Sequence, residues 1–213
     1  MKNFLILLVS FISLVDCKNN QVQVSLNKNE NMENIEYLTI GGGCFWCVES
    51  CFNMLKGVET VESGYSGGHK ENPTYEEVCT GETGHAEVVQ IAYRPNEISF
   101  EQLMEVFFFL HDPTQLNRQG EDIGTQYRSV IFYRSEEEKQ KAEQAIKTSE
   151  ATGKWSGTYV TELAPFKKFW KAESYHQGYY KDNPTQPYCS AVVGPKVAKF
   201  KAHFGALGWL KEY

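Results

Sequence analysis

Apolar and polar positions divide the chain into three parts. Phe4 to Val15 is a mostly apolar run behind Lys2, residues 18–34 are polar and rich in asparagine, and from Ile35 onward the pattern becomes periodic. "IEYLTI" has the β-branched and aromatic content of a strand. After the glycines at 41–43, Cys44, Val48, Cys51, Phe52 and Leu55 recur at the spacing of one helix face, with Gly57 where a C-terminal glycine would stand. The spacing predicts a strand, a glycine turn and a helix carrying Cys44 in its first turn. "TGHAEVVQIAY" alternates as a strand, with Ala86, Val88, Gln90 and Ala92 on one face and Glu87, Val89, Ile91 and Tyr93 on the other.

Ser99 and Gln102 stand at capping-box spacing ahead of a helix that stops before Pro113, whose Phe107-Phe108-Phe109 run reads as core. Ser135 and Glu138 likewise cap a polar surface helix. Two segments read as loops: Gly64–Val78, leading into Tyr75, and Leu116–Tyr133, which carries Asp122 and Tyr127 into the strand "YRSVIFY". Tyr175-His176 lies just past a stretch read as helical. Cys189 follows Pro184 and Pro187, in a segment expected to be extended and mobile. No internal repeat is visible.

The beginning of the chain reads as an export signal, because the apolar run is too short to span a bilayer comfortably. Leu14-Val15-Asp16-Cys17 resembles a bacterial lipoprotein processing box, with Asp16 as a departure and Cys17 as the residue that would be lipidated. The expected organisation is therefore a signal at 1–17, a polar tether at 18–34 that buries too little apolar area to order itself, and one domain at 35–213. An exported protein, periplasmic or lipid-anchored, is expected; a cytoplasmic chain with a buried N-terminal helix is the alternative.

Charge changes the picture only by exclusion. A net charge of -6 leaves no basic stripe for nucleic acid. Aromatics make up 14% of the chain, enough for rings to line surfaces as well as the core. Setting Cys17 aside leaves Cys44, Cys47, Cys51, Cys79 and Cys189, an odd set in which at least one thiol is outside a permanent bridge.

"GGGCFWCVESC" is open to three chemistries. A zinc clip would want a second close pair of ligands, which neither Cys79 nor Cys189 supplies. A C-x-x-C redox pair fits Cys44-Phe45-Trp46-Cys47, although two bulky rings fill its middle. A nucleophile fits best, since a first-turn position offers the positive end of the helix and should lower the thiol pKa. Glu87, in an apolar row, reads either as a neutral acid able to donate a proton or as an edge-strand carboxylate reaching solvent. Tyr75, Tyr127 and His176 each have an ordinary structural reading. Cys51, on the apolar helix face, reads as a small core residue.

With these residues in view, the chain resembles the A-type peptide methionine sulfoxide reductases, which act on the S epimer. The motifs that carry the resemblance are Gly43-Cys44-Phe45-Trp46, Asn72-Pro73-Thr74-Tyr75, Gly84-His85-Ala86-Glu87, Gly124-Thr125-Gln126-Tyr127-Arg128-Ser129, Tyr175-His176-Gln177 and Gln186-Pro187-Tyr188-Cys189. The resemblance implies an α+β fold: two layers, with a ferredoxin-like mixed sheet, flanking helices and long loops. It also implies that Cys44 attacks the sulfoxide sulfur while Glu87, with Tyr75 and Tyr127, holds and protonates the oxygen. Phe45 and Trp46 would wall the methyl group, and Asp122 and His176 would contribute to substrate binding. Cys44 would become a sulfenic acid, Cys189 would condense with it to a disulfide, and a thioredoxin-like donor would reduce that bond. No cofactor or metal is implied. Cys47, glycine in many members, would be helix filler or a participant in recycling.

Overall fold

The computed structural model describes residues 35–212. The expected export signal, the Cys17 lipid site and the tether lie outside the described residues.

The apolar alternation around Leu38 and Ile40 places β1 (Glu36–Gly41) in the middle of a sheet, and α1 (Phe45–Phe52) follows after a three-residue turn. Next come β2 (Val58–Ser66), α2 (Tyr75–Cys79), β3 (Ala86–Tyr93) and α3 (Phe100–Leu110). A two-residue-arm hairpin, β4 (Arg118–Gln119) and β5 (Asp122–Ile123), precedes a 3-10 turn at Thr125–Tyr127 and β6 (Val130–Tyr133). The chain closes with α4 (Glu136–Ala151), β7 (Glu162–Pro165), β8 (Phe169–Lys171), α5 (Tyr179–Asp182) and α6 (Gly194–Ala206).

The six-stranded sheet has the order β7-β6-β1-β3-β2-β8 and is mixed, β6 and β7 being its parallel pair. One face carries Leu38, Ile40, Val89, Ile91 and Ile131 against α1, α3 and α6, with Ala142 of α4 in the same cluster. A smaller cluster on Ala86, Val88, Val130 and Phe132 is covered by Phe166 and Phe169. This is the expected α+β class. Among the described residues no helix is long and apolar enough to cross a membrane.

Both caps read from the sequence form, but only one is reciprocal. Ser99 accepts from the Gln102 N–H while the Gln102 side chain accepts from the Ser99 N–H. Ser135 accepts from the Glu138 N–H, whereas the Glu138 carboxylate is taken by the Arg134 N–H.

Four local expectations are corrected. α1 ends at Asn53, whose N–H closes back on Glu49 O; Gly57, with φ +79, instead turns the chain into β2, where a Cβ would strike Ile98. The stretch from Gly64 to Ser66 is strand rather than loop, and Gly64 lies against Phe169, leaving no room for a side chain. The residues before Tyr175 form strand β8, not helix, because they pair with β2. Cys189 is neither extended nor on a mobile loop. It opens a π-helical turn, Cys189–Val193, that runs into α6, and it is wholly buried. Pro187 sits at the start of that helical run, where its missing N–H costs nothing.

Candidate active site

Cys44 caps the N-terminus of α1 and is 6% exposed. Of the three glycines before it, Gly43 needs its conformation, with φ +85 and Gln119 2.7 Å from where a Cβ would stand. Gly41 is needed for proximity: its Cβ would lie 2.5 Å from the backbone oxygen of Glu87. That packing lays the start of α1 directly over the start of β3.

Glu87 is 2% exposed and faces the helices in the same row as Val89 and Ile91. β3 lies between β1 and β2, so the edge-strand reading of Glu87 is set aside. Its Oε2 accepts the Phe45 N–H at 3.1 Å, which ties the carboxyl to the residue next to Cys44. Burial, and then the nearby Cys44 sulfur, push Glu87 well above the usual carboxylate range; the Phe45 N–H opposes this. The group is a neutral carboxylic acid at rest.

Cys44 does not have the lowered pKa expected of a first-turn thiol. Burial, followed by the facing Cys47 thiol, drives it well above the ordinary cysteine value, outweighing the Tyr188 hydroxyl and the Trp46 N–H. The N-cap position does favour an anion, but the pocket is too dry for that to win. The resting pair is therefore a thiol beside a protonated acid.

Tyr75 opens α2 and Tyr127 closes the 3-10 turn. Both hydroxyls are held protonated, by burial first and by proximity to Glu87 second. Two anchors place them: the Gly43 N–H donates to Tyr127 O at 3.1 Å, and the Tyr75 N–H donates to Glu173 Oε1 at 2.9 Å. Glu173 also accepts from the Tyr65 hydroxyl at 2.9 Å.

The aromatic wall is larger than Phe45 and Trp46. Tyr179 stacks on Trp46, with ring centroids 3.9 Å apart and planes within 12°, and Tyr188 meets its edge at 5.8 Å. The Trp46 indole N–H donates to His176 Nδ1 at 3.2 Å, so the neutral ring carries its proton on Nε2. That atom makes no hydrogen bond and is buried, with Phe45 and Tyr75 rings packed beside it. Asp122 accepts from the Tyr188 hydroxyl at 2.7 Å, so it reaches Cys44 through that tyrosine. Cys189, next in sequence, lies close enough for Cys44 to raise its pKa, after burial.

The structure thus brings all nine sequence-predicted residues to one place: Cys44, Glu87, Tyr75, Tyr127, Cys189, Phe45, Trp46, Asp122 and His176. Sequence reasoning missed Tyr179, Tyr188, Glu173 and Glu49 as parts of the site. Among the described residues no cluster of three or more His, Cys, Asp or Glu side chains is placed to hold a metal ion. The five described cysteines are all unbridged.

Glu49 had a signal available, since it lies four residues after Phe45 and three before Phe52, on an inward row. It is 2% exposed, and both its oxygens take the Gly178 N–H, at 2.9 and 3.1 Å, fixing the turn that carries Tyr179. Burial, reinforced by Asp182 against the pull of that N–H, raises it from 4.5 to about 7. A carboxyl whose folded pKa is raised contributes its stability fully below the unfolded value, and loses it as pH rises through the folded one. Glu49→Gln should therefore match the parent near pH 4.5 and exceed it at pH 8 by about 3 kcal/mol. Denaturant midpoints at the two pH values check this, and a gap independent of pH would remove Glu49 as the titrating group.

The profile of the family described as peptide methionine sulfoxide reductase matches residues 36–207. A protein named peptide methionine sulfoxide reductase MsrA from Sulfolobus acidocaldarius is 55% identical over 170 residues, 80% of this chain and 96% of that protein. One of the same name from Acinetobacter baumannii is 54% identical over 164 residues, covering 77% of this chain and 93% of the relative. Among solved structures, the reduced form of Mxr1 from Saccharomyces cerevisiae superposes with a TM-score of 0.67 at 34% identity, covering 73% of this chain and 90% of that one. Methionine sulfoxide reductase A of Corynebacterium diphtheriae does so at 0.66 with 37% identity, over 72% and 77%.

Proposed function

The chain belongs to the peptide methionine sulfoxide reductase family, and from that premise we propose that it reduces methionine S-sulfoxide, free and in proteins, to methionine with Cys44 as nucleophile. The observation that carries the reading is the Phe45 N–H bound to Glu87, which holds a protonated acid beside a buried thiol.

A sulfoxide offers an electrophilic sulfur, a partly negative oxygen and a methyl group. The oxygen fits the proton-donating side of the pocket, formed by Glu87 with the Tyr75 and Tyr127 hydroxyls. The methyl group fits the apolar side, against Phe45 and Trp46. This two-sided lining supports selection of one epimer, because the mirror arrangement would turn the oxygen toward the rings.

Both reacting groups begin neutral, so no isolated charge is buried before substrate arrives. As the Cys44 sulfur bonds to the substrate sulfur, the Glu87 proton moves to the sulfoxide oxygen and the thiol proton is released. The thioether leaves as methionine, the oxygen ends on Cys44 as a sulfenic acid, and Glu87 is protonated again. A second thiol then condenses with the sulfenic acid to a disulfide and water. A thioredoxin-like dithiol restores the enzyme by exchange.

The residues that support Cys189 as the thiol presenting the disulfide for reduction are its neighbours. Gln186, Pro187, Ser190 and Ala191 are exposed, whereas Cys44 is walled in. Cys189→Ser should release one methionine per chain and then stop when a thioredoxin-like protein is the only reductant. Continued turnover at the parental rate would remove Cys189 from that role. The apolar run Phe4–Val15 and Cys17 support an exported, lipid-anchored enzyme, served by an extracytoplasmic thiol donor.

A further inference from the structure

Of the run from Gly124 to Ser129 the mechanism uses only Tyr127, yet the residues just before it line a second opening beside the site. A cleft of about 470 Å³ lies between residues 79–82, where α2 ends, and residues 123–126, which lead from β5 into the 3-10 turn. The elements that border it also carry the two site tyrosines: Cys79 is one helical turn after Tyr75, and Gln126 directly precedes Tyr127. Burial raises the Cys79 thiol, the Tyr75 hydroxyl opposes this and Glu87 adds to it, so the cleft adjoins the proton-donating side of the site. Two features of the cleft have no use within the fold. Gln126 is 5% exposed, yet its side-chain amide hydrogen-bonds to none of the described residues. A buried amide is costly to leave unpaired, so one that lines an opening offers donors and an acceptor to whatever enters. Gly124 makes room for it, since a Cβ there would collide with the amide. Ile123, on the same wall, is 68% exposed. A single exposed isoleucine is ordinary, but this one shares a cleft with an unpaired amide. Glu82 is the charged residue of the lining, so the cleft disfavours an acidic side chain.

We infer that this cleft is the docking subsite for the polypeptide next to the oxidised methionine: Gln126 pairs with the main chain of the flanking residue, and Ile123 covers that residue's apolar side chain. The inference rests on the reductase reading above and deepens it, naming the substrate class as methionine sulfoxide in an unfolded or extended segment with an apolar neighbour. A glutamine amide matches a peptide group, giving an N–H to its carbonyl and accepting its N–H, so this contact holds any sequence. The preference comes from the apolar contact, since covering about half of a leucine side chain is worth roughly tenfold in affinity. A segment already in a helix or the middle of a sheet has its peptide groups paired and none to offer Gln126. The cleft therefore favours damaged segments that have left their own fold and exposed the apolar residues beside the methionine.

The test compares free methionine S-sulfoxide with capped tripeptides in which the same sulfoxide is flanked on both sides by leucine, glycine or aspartate. The parent, Ile123→Ser and Gln126→Met are assayed with a small dithiol as reductant, and kcat and KM are determined separately. In the parent the leucine peptide should exceed the glycine peptide about tenfold in kcat/KM, through KM, with the aspartate peptide the poorest. Ile123→Ser should bring the leucine peptide down to the glycine level while turning over free methionine S-sulfoxide as the parent does, which also shows the variant to be folded. In Gln126→Met the glycine peptide should lose its advantage over the free amino acid, about fivefold for one hydrogen bond. Equal kcat/KM for the three peptides in the parent, or an Ile123→Ser loss shared by free methionine S-sulfoxide, would overturn the inference and leave the reductase reading standing. No reduction of any of these sulfoxides by the parent would overturn the reading and the inference with it.

Discussion

Cys44→Ser should release no methionine from a methionine S-sulfoxide substrate, a loss on the order of 10⁴-fold or more in rate, as expected when the only nucleophile of a covalent mechanism is removed. The serine hydroxyl occupies nearly the same space but is a poor nucleophile toward sulfur and has no sulfenic state to pass on. The protein should remain folded. The position is a helix N-cap, where serine is favoured, and that offsets part of the cost of burying a hydroxyl in an apolar cluster. The measurement is chromatographic quantification of methionine under single-turnover conditions, beside the thermal midpoint. Methionine at more than a hundredth of the parental rate, from a folded variant, would move the nucleophile elsewhere, with Cys47 the first place to look.

Glu87→Gln should slow the chemical step by roughly 10²–10⁴-fold, the usual worth of a positioned proton donor. The amide keeps the shape and can still accept the Phe45 N–H through its carbonyl oxygen, so neither the α1 entry nor stability should suffer. What it cannot do is give up a proton at neutral pH. The pH profile provides the second readout. Because burial and Cys44 raise the folded pKa, the parent should hold its single-turnover rate below that pKa and lose it as pH rises through it. In Glu87→Gln that alkaline fall should disappear from a uniformly low rate. A variant as slow as this but with the parental profile would assign the titration to another group and reduce Glu87 to a structural anchor.

Much of the site could be read along the chain because its residues stand where local rules make them anomalous. A carboxylate in the alternating apolar row of "AEVVQIAY" conflicts with ordinary strand patterning, and a cysteine directly after three glycines conflicts with ordinary helix composition. The capping box at Ser99 and the face of α1 are local in the same sense, each decided within a few residues. The errors share the opposite origin. The local pattern of β8 suggests helix because its partner β2 lies more than a hundred residues away, and pairing rather than propensity makes it a strand. The two prolines ahead of Cys189 predict an extended, mobile segment, yet one of them begins a helical run that packing holds in place.

By itself, then, the sequence determined which chemistry is present: a thiol, an acid, two tyrosines, a pair of rings and a distant second thiol. It also determined the local elements that carry most of them, since caps, turns and periodicity depend on neighbours in the chain. Only the tertiary structure decided the protonation states and the partners. Whether the start of a helix or the dryness of its pocket governs Cys44 depends on how many apolar groups from other elements close over it, and here they outweigh the helix end. Tyr179 and Tyr188 joined the site for the same reason: solvent exclusion and ring stacking act through space, between residues that share no local pattern.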